Sequence, residues 1–277
     1  MKNYLKTKRL GIVGCGAIGT MVTKHLIQKS SAFKVVALFD QNFQAAYQLA
    51  NSLKSVPRVC NSLNDLVDNC EWILEAAAVS AVLPTARVAL KNHIPLIVMS
   101  VGGFFLNRTQ IIKLANQYQT KVYIPSGALA GIDGVRSAQQ IGRITKVEII
   151  STKNENGLKG APGFSPKYLR NLEIRKKPCY IFQGGVKQAI DRFPKNVNVA
   201  ATLASAAKFT KQAKVKVVLD PKIKVNQHEI RIEGSFGKLH SVTQNVPSTL
   251  NPKTSALAIQ SVLALFERLE SYVEIGN

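Results

Sequence analysis

The stretch GIVGCGAIG, residues 11–19, constrains the fold most, because it sets Gly14, Gly16 and Gly19 in a G-x-G-x-x-G pattern directly after a short apolar run. Each glycine answers a separate need. Gly14 allows a tight strand-to-helix turn, Gly16 lets a pyrophosphate approach the backbone, and Gly19 lets the helix pack closely on its strand. The backbone from Gly16 through Ala17 and Ile18 to Gly19 then offers free N–H groups to phosphate, favoured by the helix dipole. Alone, the pattern is a weak signal. Its neighbours strengthen it: LGIVG reads as a strand, MVTKHLIQK as a helix and KVVALFD as the next strand. That strand ends in Asp40, about 20 residues beyond the last glycine, where a carboxylate binds the ribose hydroxyls of NAD. The segment predicts a nucleotide-binding βαβ unit.

The alternation continues. QAAYQLANSL reads as an amphipathic helix, VPRVC as a third strand and LNDLVDNC as a short helix before the strand WILEAA. A helix over Val82–Lys91 tolerates Pro84 in its first turn. PLIVMS is the near-continuous apolar run of a parallel strand buried on both faces. Gly102 and Gly103 are expected to break the chain before a helix in NRTQIIKLANQYQ capped by Asn107, and KVYIPS supplies a sixth strand. The class is therefore α/β, with a doubly wound parallel Rossmann sheet whose ligand crevice lies at the strand C-terminal ends.

After Ser126 the pattern changes. SGALAGIDGVRSAQQIG is a glycine-punctuated loop leading to a helix, and strands then dominate: VEIISTKN, KPCYIF, KVKVVLD, HEIRIEGSF and LHSVTQNV, with helices near VKQAIDRF and NVAATLASAAKF. This grouping predicts a second α+β domain with a mostly antiparallel sheet. The expected organisation is a dinucleotide-binding domain over residues 1–126, completed by a C-terminal helix within 251–277, and a catalytic and dimerisation domain over 127–250. The tail helix shows Leu257, Val262, Leu265, Leu269 and Tyr272 at roughly three- and four-residue spacing, a stripe that must be covered.

The formal net charge of +21 invites a nucleic-acid reading, but the basic residues are spread thinly from Lys2 to Arg268 without a dense tract. A basic solvated surface accounts for it, and nucleic acid is not the expected partner. Cys15, Cys60, Cys70 and Cys179 form no C-x-x-C pair, so reduced thiols and no metal site are expected. No apolar run approaches the roughly 20 residues of a membrane span, and MKNYLKTKRL lacks a secretory apolar stretch; a cytoplasmic location is expected.

Of the four histidines, His228 carries the most information. In HEIRIEG the period of two puts His228, Ile230, Ile232 and Gly234 on one face and Glu229, Arg231 and Glu233 on the other. An imidazole on the inward face can act as a general acid or base near neutral pH, although a lone inward histidine is more often structural. Asn198, in KNVNVAATLASAA, offers a carboxamide to a nicotinamide amide or a substrate, or simply caps a helix. Lys153, Lys159 and Lys253 are candidate partners for a carboxylate, against the plain alternative of solvated surface lysines.

Taken together, these segments resemble the L-aspartate dehydrogenase family over almost the full length. The similarity lies in GIVGCGAIG, VMSVGGF, PSGALAGIDG, TKNENGLKGAP, FPKNVNVAATLA, DPKIKVNQHEI, EGSFGK and NVPSTLNPKTSALA. It implies a homodimer that oxidises L-aspartate with NAD or NADP to iminoaspartate, which feeds NAD biosynthesis or hydrolyses to oxaloacetate and ammonia. It places the catalytic histidine on His228, within NQHEI, and nicotinamide contacts on Ala128 and Asn198. In the block TKNENGLKGAP the proline that often follows the family's lysine is missing, which leaves the substrate role of Lys153 open. Asp40 favours NAD by repelling a 2′-phosphate, while neighbouring basic residues leave NADP open. For the substrate carboxylates the candidates are Lys159 and the start of the last helix at Lys253, Thr254 and Ser255. The alternatives are a homoserine dehydrogenase-like or dihydrodipicolinate reductase-like enzyme of the same plan, whose own signature blocks are not evident, or a non-catalytic NAD sensor or nucleic-acid partner.

Overall fold

The computed structural model describes residues 7–29, 32–165, 177–194, 197–209, 211–248, 251 and 254–276. It divides into two compact units, one of residues 1–125 with 262–274 and one of residues 126–261 with 275–277.

The first unit is a six-stranded parallel sheet built from β1 (Lys8–Val13), β2 (Phe33–Phe39), β3 (Arg58–Val59), β4 (Trp72–Glu75), β5 (Leu96–Val98) and β6 (Val122–Tyr123). Its strand order is β3-β2-β1-β4-β5-β6. The order reverses between β1 and β4, and at such a switch point the loops leaving the strand C-termini open a ligand crevice. The connecting helices are α1 (Ala17–Gln28), α2 (Phe43–Asn51), α3 (Leu63–Val67), α4 (Val82–Lys91), α5 (Val101–Leu106) and α6 (Arg108–Gln117). All three residues of β5 are buried, as a strand covered on both faces requires.

Two local expectations are corrected here. Gly102 and Gly103 do not break the chain but lie inside α5, where a side chain on Gly103 would collide with the Val79 carbonyl oxygen and with Val82. Close packing, not a turn, explains that glycine. Asn107 precedes α6 as expected but makes no side-chain cap; its carboxamide instead donates back to the Gly103 carbonyl at 2.9 Å.

The second unit contains β7 (Ile144–Lys153), β8 (Cys179–Gly185), β9 (Lys214–Leu219), β10 (Asn226–Gly234) and β11 (Gly237–Asn245), with α7 (Ile132–Ile141), α8 (Glu155–Leu158), α9 (Val186–Arg192) and α10 (Asn198–Ala206). The sheet order is β11-β10-β7-β9-β8. Only β7 and β9 pair in parallel; the other neighbours run antiparallel. Ile149, Val217, Ile230 and Ile232 are among the residues that the sheet buries in the core. The small residues of NVAATLA let α10 bury Val199 through Ala204 without a break.

The last helix, α11 (Ala256–Glu270), buries Ile259, Val262, Leu265 and Phe266. Phe266 packs on Phe33 with ring centroids 4.7 Å apart, and Leu269 O accepts a bond from Lys8 Nζ at 3.0 Å. The expected stripe is shifted: Leu257 is 38% and Tyr272 81% exposed. At about 100° per residue Leu257 lies on the far side from Ile259, and Tyr272 falls beyond the helix end.

Candidate active site

In the first unit, β1 hands the chain to α1 through a turn only glycine can make. Gly14 has φ +97°, and a Cβ there would stand 2.6 Å from Ala77 N. A Cβ on Gly19 would collide with the Gly14 carbonyl oxygen, so helix and loop are in direct contact. Gly16 differs from both: a Cβ would meet nothing within 4 Å, which leaves open space over the first turn of α1. No acidic residue occupies that turn. An anion there meets free N–H groups and the positive end of the helix dipole.

Asp40 follows the end of β2 and clamps this loop. Its Oδ2 accepts from Cys15 N–H at 2.7 Å and its Oδ1 from Asn42 N–H at 2.8 Å. Burial, and then the Asp40 charge, push the Cys15 thiol up to about 12, so it stays protonated and serves as packing. These residues fit a dinucleotide: an open helix N-terminus for the pyrophosphate, beside an anchored carboxylate suited to ribose hydroxyls.

Glu75 is a polar residue that the reading of the sequence passed over. It ends the apolar strand β4 fully buried, with Oε1 accepting from Ala77 N–H at 2.9 Å and Oε2 from Ser100 N–H at 3.0 Å. Burial raises its pKa, against the lowering effect of the bonds from Ser100, Ala77 and Ala78. The carboxylate thereby joins the loops leaving β4 and β5, next to the turn that Gly14 makes against Ala76 and Ala77.

In the second unit, β7, β10 and β11 bring a set of polar residues to one buried face. His228 stands opposite Ser151 on β7 and Thr243 on β11, and opposite residues of a ladder share a face. Its Nδ1 lies 2.9 Å from Ser151 Oγ. Burial, with the Lys153 charge second, pushes the imidazole down to about 3, so His228 is neutral through the physiological range. Lys153, at the end of β7, is itself pushed down to about 8 by burial. Two strand residues beyond Thr243, Asn245 donates to the Ala128 carbonyl at 3.1 Å, and Thr243 Oγ donates to the same oxygen at 3.0 Å. Thr243 Oγ is also 3.3 Å from the His228 carbonyl, so β11 ties Ala128 to the His228 strand. A neutral imidazole held by a hydroxyl, with a buried ammonium beside it, can exchange a proton next to a bound anion.

Comparison with known proteins agrees with both halves. The family description "Homoserine dehydrogenase, NAD binding domain" matches residues 14–125, and "Aspartate dehydrogenase, C-terminal" matches residues 133–269. The chain is 40% identical over 273 residues to an L-aspartate dehydrogenase of Methanococcus maripaludis, covering 97% of this chain and 99% of that one. The chain belongs to the L-aspartate dehydrogenase family. Another member, from Methanocella arvoryzae, is 39% identical over 271 residues with the same coverage. The crystal structure of aspartate dehydrogenase from Thermotoga maritima shares the fold, with a TM-score of 0.74 at 24% identity over 97% of this chain and 99% of that chain.

Against this family, the remaining candidates are placed as follows. Asn198 is the first residue of α10, half-buried, with its carbonyl accepting from Thr202 Oγ at 3.0 Å. Lys159 follows α8 and is exposed. Thr254 O accepts from Ser248 N–H at 2.7 Å, and Ser255 is buried in a bridge with Pro247. The helix starts at Ala256, not at Lys253, and Ala256 N–H is already bonded to Val246 O at 3.0 Å, which removes one amide from an anion site there. Lys253 lies outside the described residues. Lys153, weighed but left open on the sequence, is the lysine that lies beside His228. Asn226 also went unnoticed, although the period of two that turned His228 inward carries Asn226 to the same face.

Proposed function

We propose that the chain is an NAD(P)-dependent L-aspartate dehydrogenase that oxidises L-aspartate to iminoaspartate. The observation that carries this reading is the buried polar face of β7 and β10, where His228 is held neutral and hydrogen-bonded in a chain of this family. Gly14, Gly16, Ala17, Ile18 and Gly19 hold the pyrophosphate and Asp40 the ribose, while Ala128 and Asn198 hold the nicotinamide. When bound, the dinucleotide supplies the acceptor for the hydride that leaves Cα.

Hydride leaves only when the substrate nitrogen is neutral, so the protein must first take the ammonium proton. His228 does this through Nε2, with Nδ1–H donating to Ser151 Oγ. Burial beside Lys153 makes the imidazole a weak base by itself, but the two carboxylates of a substrate against the same face oppose the Lys153 field and raise its pKa. The same residue then assists water in attacking the imine. Iminoaspartate either hydrolyses to oxaloacetate and ammonia or passes to pyridine-nucleotide biosynthesis.

Asp40 gives a preference for NAD, since its carboxylate opposes a 2′-phosphate. The reading includes a homodimer and a cytoplasmic location; among the described residues no helix is long and apolar enough to cross a membrane. The test is direct: purified protein is incubated with L-aspartate and either NAD or NADP, and reduced nicotinamide is followed by absorbance. No turnover with either cofactor across pH and temperature sinks the reading, and an unchanged kcat in folded His228→Ala removes the histidine from it.

A further inference from the structure

The face that carries His228 holds more polar groups than a proton acceptor requires. Ser151 serves the imidazole, and Thr243 and Asn245 serve the Ala128 carbonyl. Asn226 serves neither. It is 3% exposed, and its Nδ2 donates to no atom among the described residues. A buried amide donor without an acceptor destabilises a fold, and a sequence retains one where a ligand supplies the missing acceptor.

Lys153 is the second half of the observation. The β7–β10 ladder pairs His228 with Ser151 and Gln227 with Thr152, which sets Asn226 level with Lys153. Lys153 is 2% exposed. Both side chains border Gly157: a Cβ added there would lie 3.3 Å from Lys153 Cβ and 3.6 Å from Asn226 Oδ1. A buried lysine and a buried amide with an unmet N–H, on side chains that border the same glycine, match a carboxylate, which accepts from both. A neutral apolar group would leave the amide unmet, and a cation would be repelled.

Spacing decides which carboxylate. Residues two apart on one strand face are separated by about 6.5–7 Å, and this is the step from His228 to Asn226. A substrate whose amino group meets the imidazole spans this step best with its far carboxylate, which stands further from the nitrogen than the α-carboxylate does. We propose that the Lys153 ammonium and the Asn226 carboxamide seat the side-chain carboxylate of the substrate and so select a dicarboxylic amino acid. This rests on the reading of His228 as the group that meets the substrate amine.

The full-length protein, saturated with NAD, is titrated with succinate by calorimetry and assayed with L-aspartate, as wild type and as Asn226→Leu, Asn226→Asp and Lys153→Met. The Asn226→Leu protein is expected to melt at or above the wild-type temperature, since an unmet donor is gone, while the succinate Kd and the aspartate KM rise about tenfold or more. Asn226→Asp, which sets a carboxylate against a carboxylate, loses succinate binding. Lys153→Met weakens both dicarboxylates and carries the test if Asn226→Leu does not fold. Succinate binding and aspartate KM within about twofold of wild type in the folded variants overturn the proposal, as does a wild type that binds no succinate. Normal turnover with unaffected variants removes the carboxylate seat and keeps the dehydrogenase. Succinate binding lost in the variants of a protein that never oxidises aspartate keeps the seat and removes the dehydrogenase.

Discussion

His228 makes stability depend on acid in a way that can be worked out. Its imidazole is pushed from 6.5 to about 3 by burial and by Lys153. Between those values the unfolded chain binds a proton that the folded chain refuses, so stability falls as pH drops from 6.5 and is flat above it. At about 1.4 kcal/mol per unit, the whole window costs about 5 kcal/mol, and the step from neutrality to about pH 5 costs about 2 kcal/mol. Other groups add to the pH dependence, so the measured quantity is a difference. Urea unfolding is followed by circular dichroism between about pH 5 and pH 8 for wild type and His228→Asn, a residue that can still bond Ser151. The acid-side slope of wild type should exceed that of His228→Asn by close to one proton, and the two should run parallel above pH 6.5. Equal slopes on the acid side would show that His228 is accessible to protons in the folded state, and the picture of a buried neutral imidazole would fail.

Four further outcomes test the nucleotide half. Gly16→Ala should leave stability within about 0.5 kcal/mol of wild type, because its Cβ meets nothing within 4 Å, yet weaken NAD binding about tenfold or more; calorimetry and thermal melting separate the two. Gly14→Ala should instead unfold or strongly destabilise the protein by thermal melting, since φ +97° costs about 1–2 kcal/mol for an L-residue and the Cβ lies 2.6 Å from Ala77 N. Asp40→Asn keeps an acceptor for Cys15 N–H while removing the charge, and should shift the ratio of kcat/KM for NADP over NAD upward by about tenfold. Glu75→Gln sets an amide NH₂ against the N–H of Ala77 or Ser100 and should cost about 1–3 kcal/mol in urea unfolding while raising the NAD Kd; an unchanged protein would free Glu75 of any part in holding those loops.

The nucleotide half was legible because its constraints are local. Gly14, Gly16 and Gly19 sit within one turn of chain, and the period of the flanking strands is visible in the residues themselves. The fold class of both halves followed from the switch of alternation after Ser126, and the strand orders agree with it. Local pattern failed where contact between distant segments decides the outcome. Gly102 and Gly103 read as breakers, but Gly103 is small because α4 and the turn before it press on α5. Lys153 read as either a carboxylate partner or a solvated surface lysine, since nothing in TKNENG says that β10 and Gly157 will bury it. Asn226 lies before the strand read as HEIRIEGSF, and only the continuation of β10 back to residue 226 turns it inward.

The two halves also differ in how they meet the cost of being sites. Around the glycine turn the polar groups are satisfied within the protein: both oxygens of Asp40 and both of Glu75 accept backbone N–H bonds. On the β7–β10 face burial leaves a cost. His228 is held far below its usual pKa, Lys153 is lowered to about 8, and Asn226 keeps an unmet donor. Each of these is unfavourable for folding, and each is relieved by the same thing, a carboxylate placed beside them. A core selected for stability alone would fill this face with residues like Ile149 and Ile230, which already occupy its far end. The strain is therefore read as binding energy held in reserve: the charged substrate returns to the fold what the bare polar face withholds from it, and a substrate lacking the second carboxylate does not.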